Sequence, residues 1–155
     1  MTRTLEVRRH AKRDPDADRL SPEGRVQAED VGRTLAGGYD VVFVSPAQRA
    51  AETVAWFLRG LGEQLPRHGV IPGLAGEGTD RSPLAMAGVL AALLDSVPEG
   101  GRGLAVGHTP LIERAVLGLI AQDIEPLAEC EGVALTKEGD EGPIRVDELR
   151  LRAAG

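Results

Sequence analysis

Residues 40–44, Asp-Val-Val-Phe-Val, form a continuous apolar run rich in β-branched side chains. That is the pattern of a strand buried on both faces, which constrains the fold more than any other stretch of the chain. Such a strand needs helices above and below it, and the flanking sequence offers them. Upstream, Leu5–Arg9 reads as a short strand ended by the turn Asp14-Pro15-Asp16. Ser21-Pro22-Glu23 then opens a helix, with Ser as N-cap and Pro in the first turn, running to Leu35 and stopping at Gly37-Gly38. Downstream, Ser45-Pro46 repeats the Ser-Pro start, and Ala47, Ala50, Ala51, Val54, Ala55 and Leu58 recur at helical spacing.

Residues 62–82 are glycine-rich and hold a short strand at Arg67–Ile71. A helix is expected at Pro83–Ser96, a second short apolar strand at Gly103–Gly107, and a helix opened by Thr109-Pro110. Two alternating segments, Gly132–Thr136 and Ile144–Leu151, are joined by Glu-Gly-Asp-Glu-Gly and read as a hairpin. Strands alternating with helices predict an α/β fold: one three-layer domain over residues 1–155, with a mostly parallel sheet flanked by helices and an antiparallel C-terminal hairpin.

The totals narrow the function. A chain of 155 residues can bury a real core, and its 42% hydrophobic and 27% charged fractions are those of a globule. A net charge of −6 with a pI near 5.1 disfavours a nucleic-acid binder, and 3% aromatic content leaves few stacking platforms. No apolar run approaches the roughly 20 residues that cross a bilayer, and the N-terminus lacks a secretory stretch. The single cysteine, Cys130, offers neither an internal disulfide nor a metal set. A cytoplasmic protein with no membrane partner is the expectation.

Against that acidic total, residues 8–13 gather Arg8, Arg9, His10, Lys12 and Arg13. In open α/β sheets ligands bind outside the carboxyl ends of the strands. Three such ends carry unusual residues: Arg9-His10, Ser45 to Arg49, and Gly107-His108-Thr109-Pro110. If the strands are parallel, two histidines and two arginines meet on one rim. Guanidinium groups hold phosphate oxygens bidentately, which suits Arg9 and Arg49 as a clamp. Arg49 lies in the first turn of its helix, so its side chain can lean back toward the rim. Neutral His10 is a candidate nucleophile, kept unprotonated by the cations, and His108 a donor to developing negative charge. Singly, each motif has a plain alternative: a strand end, a capped helix entry, or an Arg49–Glu52 pair on one helix face.

With those residues in place the sequence resembles the histidine phosphatase superfamily, the phosphoglycerate mutase-like fold. Arg9-His10 is similar to its Arg-His signature. "LSPEGRVQAEDVG" (20–32) resembles its L-T-x-x-G-x-x-Q-A helix, "VSPAQRAAETV" (44–54) its S-P-x-x-R-A-x-x-T segment, and "VGHTPLIE" (106–113) its second-histidine motif. "RHAK" and the short chain look most like the small bacterial phosphohistidine-phosphatase subgroup. The resemblance implies that His10 becomes phosphorylated, that Arg9, Arg49 and His108 bind the phosphoryl group, and that no metal or other cofactor is needed. It implies a phosphorylated protein or a small phosphate ester as substrate, and a leaving-group acid after the central strand, with Glu77 the best match and Asp80 the second. A non-catalytic phosphate-binding module is the competing class. Departures exist. Arg8 stands where an apolar residue is usual, and either extends the basic pocket or turns to the other face of the sheet. Ala11 replaces a glycine, and the mutases' extended signature after Arg-His-Gly is absent, which disfavours mutase activity. His68 matches no motif and is expected to be structural or exposed.

Overall fold

Val41–Val44 (β2) is paired on both edges and covered on both faces, as its composition requires. The computed structural model describes residues 1–151. Around β2 it arranges β1 (Thr2–Arg9), α1 (Pro22–Gly32), α2 (Gln48–Leu61), β3 (Arg67–Val70), a 3-10 turn (Pro72–Ala75), α3 (Pro83–Asp95), β4 (Arg102–Gly107), α4 (Leu111–Ile120), β5 (Gly132–Glu138) and β6 (Ile144–Leu149). The six strands form one sheet in the order β3-β2-β4-β1-β5-β6. The first four strands are mutually parallel, whereas β5 runs antiparallel to β1 and β6 antiparallel to β5.

Alternation along the strands sorts the core into two layers. Leu5, Val7, Val41, Phe43 and Ala105 face α3 and α4. Val42, Val44, Leu104 and Val106 face α1 and α2, where Phe57 is fully buried. Each fully buried aliphatic or aromatic side chain contributes about 1.5–3 kcal/mol. Helices α1 and α2 approach closely through glycine: a Cβ at Gly32 would stand 2.4 Å from the Phe57 carbonyl oxygen, and one at Gly60 would stand 2.2 Å from that of Glu29. On the other side of β1, Glu6, Tyr39 and Arg102 form a polar network at the helix-facing surface of the sheet.

The predicted elements all form, and several limits differ. Strand β1 begins at Thr2, because Thr2–Thr4 pair with Thr136–Glu138 of β5, a pairing that polar residues do not announce. Helix α1 ends at Gly32, short of Leu35. There Thr34 and Leu35 donate to the carbonyls of Val31 and Gly32, tightening the chain into three-residue turns. Ser21 caps α1 as expected, accepting from the Gly24 N–H at 3.0 Å. The other two helix starts do not. Helix α2 begins only at Gln48, with Ala47 at the N-cap, and α4 at Leu111, after a cis Thr109–Pro110 bond. Among the described residues no helix is long and apolar enough to cross a membrane, and no three His, Cys, Asp or Glu side chains gather into a metal-binding group.

Candidate active site

Register brings the distant motifs together. Arg9 pairs with Gly107, and Val44 with Val106, so His10, Ser45 and His108 all stand one step beyond the paired strands at one end of the sheet. The imidazole rings of His10 and His108 lie 5.3 Å apart, edge to face at 61°. Both are buried, at 7% and 8% exposure. Arg49, on the first turn of α2, reaches back between them. Its Nε donates to His10 Nε2 at 3.3 Å, and its Nη2 stands 3.4 Å from His108 Nδ1.

The hydrogen bonds assign the protons. His10 Nδ1 lies 2.7 Å from the Ala11 carbonyl oxygen, which can only accept, so Nδ1 carries the hydrogen and Nε2 keeps its lone pair. Burial, then the charges of Arg49, Arg9 and Arg13, hold the His10 imidazolium below its ordinary value of 6.5, against the pull of the Ala11 carbonyl. For His108, burial, then Arg49, lowers the value to about 4. Its Nε2 is 2.7 Å from Ser45 Oγ, which also accepts from the Ala47 N–H at 3.2 Å. Ser45 is thus a partner of His108 and not the cap of α2.

That cap comes from elsewhere. Asp18, in the loop after β1, accepts the N–H groups of Gln48 at 3.0 Å and Arg49 at 3.1 Å. The same carboxylate holds Arg49 Nη1 at 2.8 Å. Although burial works against it, these bonds keep the Asp18 carboxyl below its ordinary range. Asp18 is the site residue the sequence reading missed. No local signal marked it, because Ser45-Pro46 offers a ready helix start and hides the alanine at the N-cap of α2, a poor cap that takes an outside acceptor. Glu52 is not Arg49's partner: it accepts from the Leu20 N–H at 2.7 Å and from Gln48 Nε2 at 3.1 Å.

Arg9 is anchored by the Leu127 carbonyl at 2.8 Å and by Glu129 at 3.4 Å, leaving a buried Nε without a partner beside the pocket. With His10, Lys12, Arg13, Arg49 and His108 it lines a cavity of about 350 Å3. Arg8 turns to the other face of the sheet, buried against Glu6, and donates to the Cys130 carbonyl. It does not extend the basic pocket. The two acid candidates separate. Glu77 is exposed and lines a neighbouring cavity that shares Arg49 and His108 with the first. Asp80 does not reach the site: it accepts from the Ser82 N–H at 2.9 Å inside the turn that starts α3, and bonds from Ser82 hold it ionised. His68 is exposed on β3, with Nδ1 at 3.0 Å from the Pro66 carbonyl. Cys130 is a buried free thiol pushed up to about 12 by burial.

Residues 3–72, which hold β1, Arg9, His10, Arg49 and β3, match the sequence model described as the histidine phosphatase superfamily (branch 1). The match makes this N-terminal stretch similar to that superfamily. No curated protein matches it significantly. Among solved structures, the protein histidine phosphatase SixA complexed with tungstate is 21% identical, with a TM-score of 0.73 over 95% of this chain and 96% of its own. A mycobacterial glucosyl-3-phosphoglycerate phosphatase is 17% identical, with a TM-score of 0.72 over 98% of this chain and 100% of its own. A phosphoglycerate mutase from Bacillus anthracis is 15% identical, with a TM-score of 0.77 over 96% and 92%. At these identities the likeness to the solved structures is one of fold. It shows a phosphoglycerate mutase-like architecture that continues through His108 and the C-terminal hairpin, beyond the matched sequence.

Proposed function

We propose that this protein is a histidine phosphatase, metal-independent, that works through a phosphorylated His10. The observation that carries the reading is the Ala11 carbonyl on His10 Nδ1, which leaves the Nε2 lone pair facing Arg49. Nε2 attacks phosphorus, the Nε2–P bond forms, and the bond from phosphorus to the leaving group breaks. Arg9, Arg49 and His108 take the negative charge spread over the phosphoryl oxygens, the work a metal ion would otherwise do. Arg49 passes from Nε2 to those oxygens as the ligand enters. Water then attacks the phosphoryl group, the Nε2–P bond breaks, and inorganic phosphate leaves. Ser45 suits His108 to both states, since its hydroxyl can accept from or donate to Nε2 as the proton on Nδ1 comes and goes.

Protein phosphohistidine is the substrate this arrangement favours. Asp18 is engaged by Arg49, Asp80 by its own turn, and Glu77 is exposed with no hydrogen bond holding its carboxylate in place among the described residues. A leaving group that departs without a donated proton fits such a site, and imidazole is one. Small phosphate monoesters are the second reading, favoured by the cavity beyond His108, where Glu77 would act as the acid. A reducing cytoplasm suits the free thiol of Cys130.

The test uses purified protein with chelator, para-nitrophenyl phosphate, a phosphohistidine-bearing protein, and His10→Ala alongside. Phosphate release that disappears in the variant, with an alkali-stable and acid-labile label on the wild-type chain, is the expected result. Turnover retained by a folded His10→Ala protein would remove His10 as nucleophile. Silence of the wild type on both substrates would favour a phosphate-binding module.

A further inference from the structure

Beyond His108 the site opens into a second chamber of about 610 Å3, larger than the pocket at His10 and sharing Arg49 and His108 with it. Its wall carries Asp18, Glu77, Arg81 and Arg114. The charges there are not balanced. Asp18 is consumed by Arg49, which leaves Glu77 against two guanidinium groups. Among the described residues neither Arg81 nor Arg114 has a carboxylate within ion-pair distance. Arg114 lies in the first turn of α4, so its side chain leans toward the helix N-terminus and His108.

Arg81 is positioned by its surroundings. Its backbone adopts a left-handed φ of 61°, unusual for a residue with a side chain. Its N–H donates to Thr79 Oγ1 at 2.9 Å, and its Nε approaches the Gly76 carbonyl at 3.4 Å. The side chain lies across Gly76, where a Cβ would stand 2.6 Å from Nε and 2.8 Å from Cγ. Glycine at 76 therefore makes room for an arginine held over the chamber. Strain at one residue, a glycine beneath it and an unmatched charge above it all coincide at one wall.

We propose that this chamber is a subsite for a second anion, a carboxylate or phosphate carried by the leaving portion of the substrate, with Arg81 and Arg114 as its cations. The inference rests on the reading that the phosphoryl group itself sits at His10. It supplies what that reading lacks, a structural basis for choosing among phosphorylated substrates. The leaving portion extends past His108, and its anion replaces water on two guanidinium groups that the protein leaves unpaired.

Equilibrium binding of non-hydrolysable probes tests it without relying on turnover. Titration calorimetry compares 3-phosphonopropionate with its amide, 3-phosphonopropanamide, and with methylphosphonate, on wild type and on the double variant Arg81→Gln/Arg114→Gln. The acid should bind wild type about tenfold more tightly than the amide, from one charge-assisted guanidinium contact. That ratio should fall to near one in the double variant, while methylphosphonate binds both proteins alike. A parallel pair of peptides carrying a non-hydrolysable phosphonotriazole analogue of phosphohistidine, flanked by Glu or by Gln, identifies the source of the anion. A Glu preference lost in the double variant assigns it to a protein substrate, and a preference confined to the small pair assigns it to a metabolite. Absence of any charge preference in both pairs, or one that survives in the double variant, would overturn the subsite. Methylphosphonate binding indifferent to Arg49→Ala would instead overturn the phosphoryl reading, and with it the position from which the second anion is measured.

Discussion

His108→Gln should flatten the acid side of the stability profile. In the folded protein His108 is 8% exposed beside Arg49, and its imidazolium forms only near pH 4, against 6.5 ordinarily. A lowered histidine value makes the native state the poorer proton acceptor. Above pH 6.5 neither state binds this proton, and the group contributes nothing to the pH dependence. As pH falls below 6.5 the unfolded chain takes up a proton that the native site refuses, so stability drops until His108 itself protonates near pH 4. The full loss is about 3 kcal/mol, most of which has accrued by roughly pH 4.5. His10 acts in the same direction and remains in the variant, so the wild type should be the steeper of the two. Carboxylates held low, such as Asp14 and Asp18, lose stability only as pH falls through their folded values, below an ordinary 3.8, and leave the histidine window clear. Urea unfolding of both proteins from about pH 7.5 to about pH 4.5 measures the difference. Any packing cost of Gln is a constant offset, whereas the predicted signal is a gap that shifts by about 2–3 kcal/mol across the window. A gap independent of pH would refute the assignment of a neutral, desolvated His108.

Arg49→Lys keeps the charge but loses the fork between the two histidines, and should lower kcat by about 10²–10³ in steady-state assays of phosphate release. A fall of less than threefold would remove Arg49 from the clamp. Asp18→Ala strips the outside cap from α2 and the anchor from Arg49, and should cost about 1–2 kcal/mol in urea melts, together with reduced kcat/KM. Gly60→Ala gains about 1 kcal/mol of helix propensity but drives a methyl to 2.2 Å from the Glu29 carbonyl oxygen. Overpacking should win, with a net loss of about 1–2 kcal/mol at the thermal midpoint.

How legible each part was follows from the kind of physics that fixes it. The β2 run and the stripes of α2 and α4 declare burial residue by residue, and periodicity recovered them. The convergence of His10, Arg49 and His108 was legible because parallel strands share a carboxyl end, so three local motifs needed only one topological step. Asp18 was not. It sits in a loop without periodicity, and its meaning depends on Gln48 and Arg49, 30 or more residues away. Ser45 misled for a related reason. Ser-Pro is a valid helix start, yet here the serine hydroxyl has a stronger use on His108 and the helix waits for Gln48. The side on which Arg8 lies was settled by Glu6 and the Cys130 carbonyl, contacts that strand alternation permits but does not choose.

The site's electrostatics explain why an acidic chain concentrates cations at one rim. Arg9, Arg13 and Arg49 each lower the proton affinity of His10, so on the proposed reading the field that would attract a phosphoryl group would also keep the His10 lone pair free. Unopposed, that field would push the guanidinium groups apart and leave the pocket ill-defined before a ligand arrives. Asp18 and Glu129 oppose it, each holding an arginine through Nη1. In that arrangement Arg49 is already aimed, and exchanging His10 Nε2 for a phosphoryl oxygen takes a shift of one hydrogen bond, with Asp18 still in place. On that reading the carboxylate that would lower the net attraction for phosphate is also the one that fixes the geometry of Arg49. A site tuned only for binding would gain by discarding Asp18, whereas a site that must hold Arg49 in line through both chemical steps gains by keeping it.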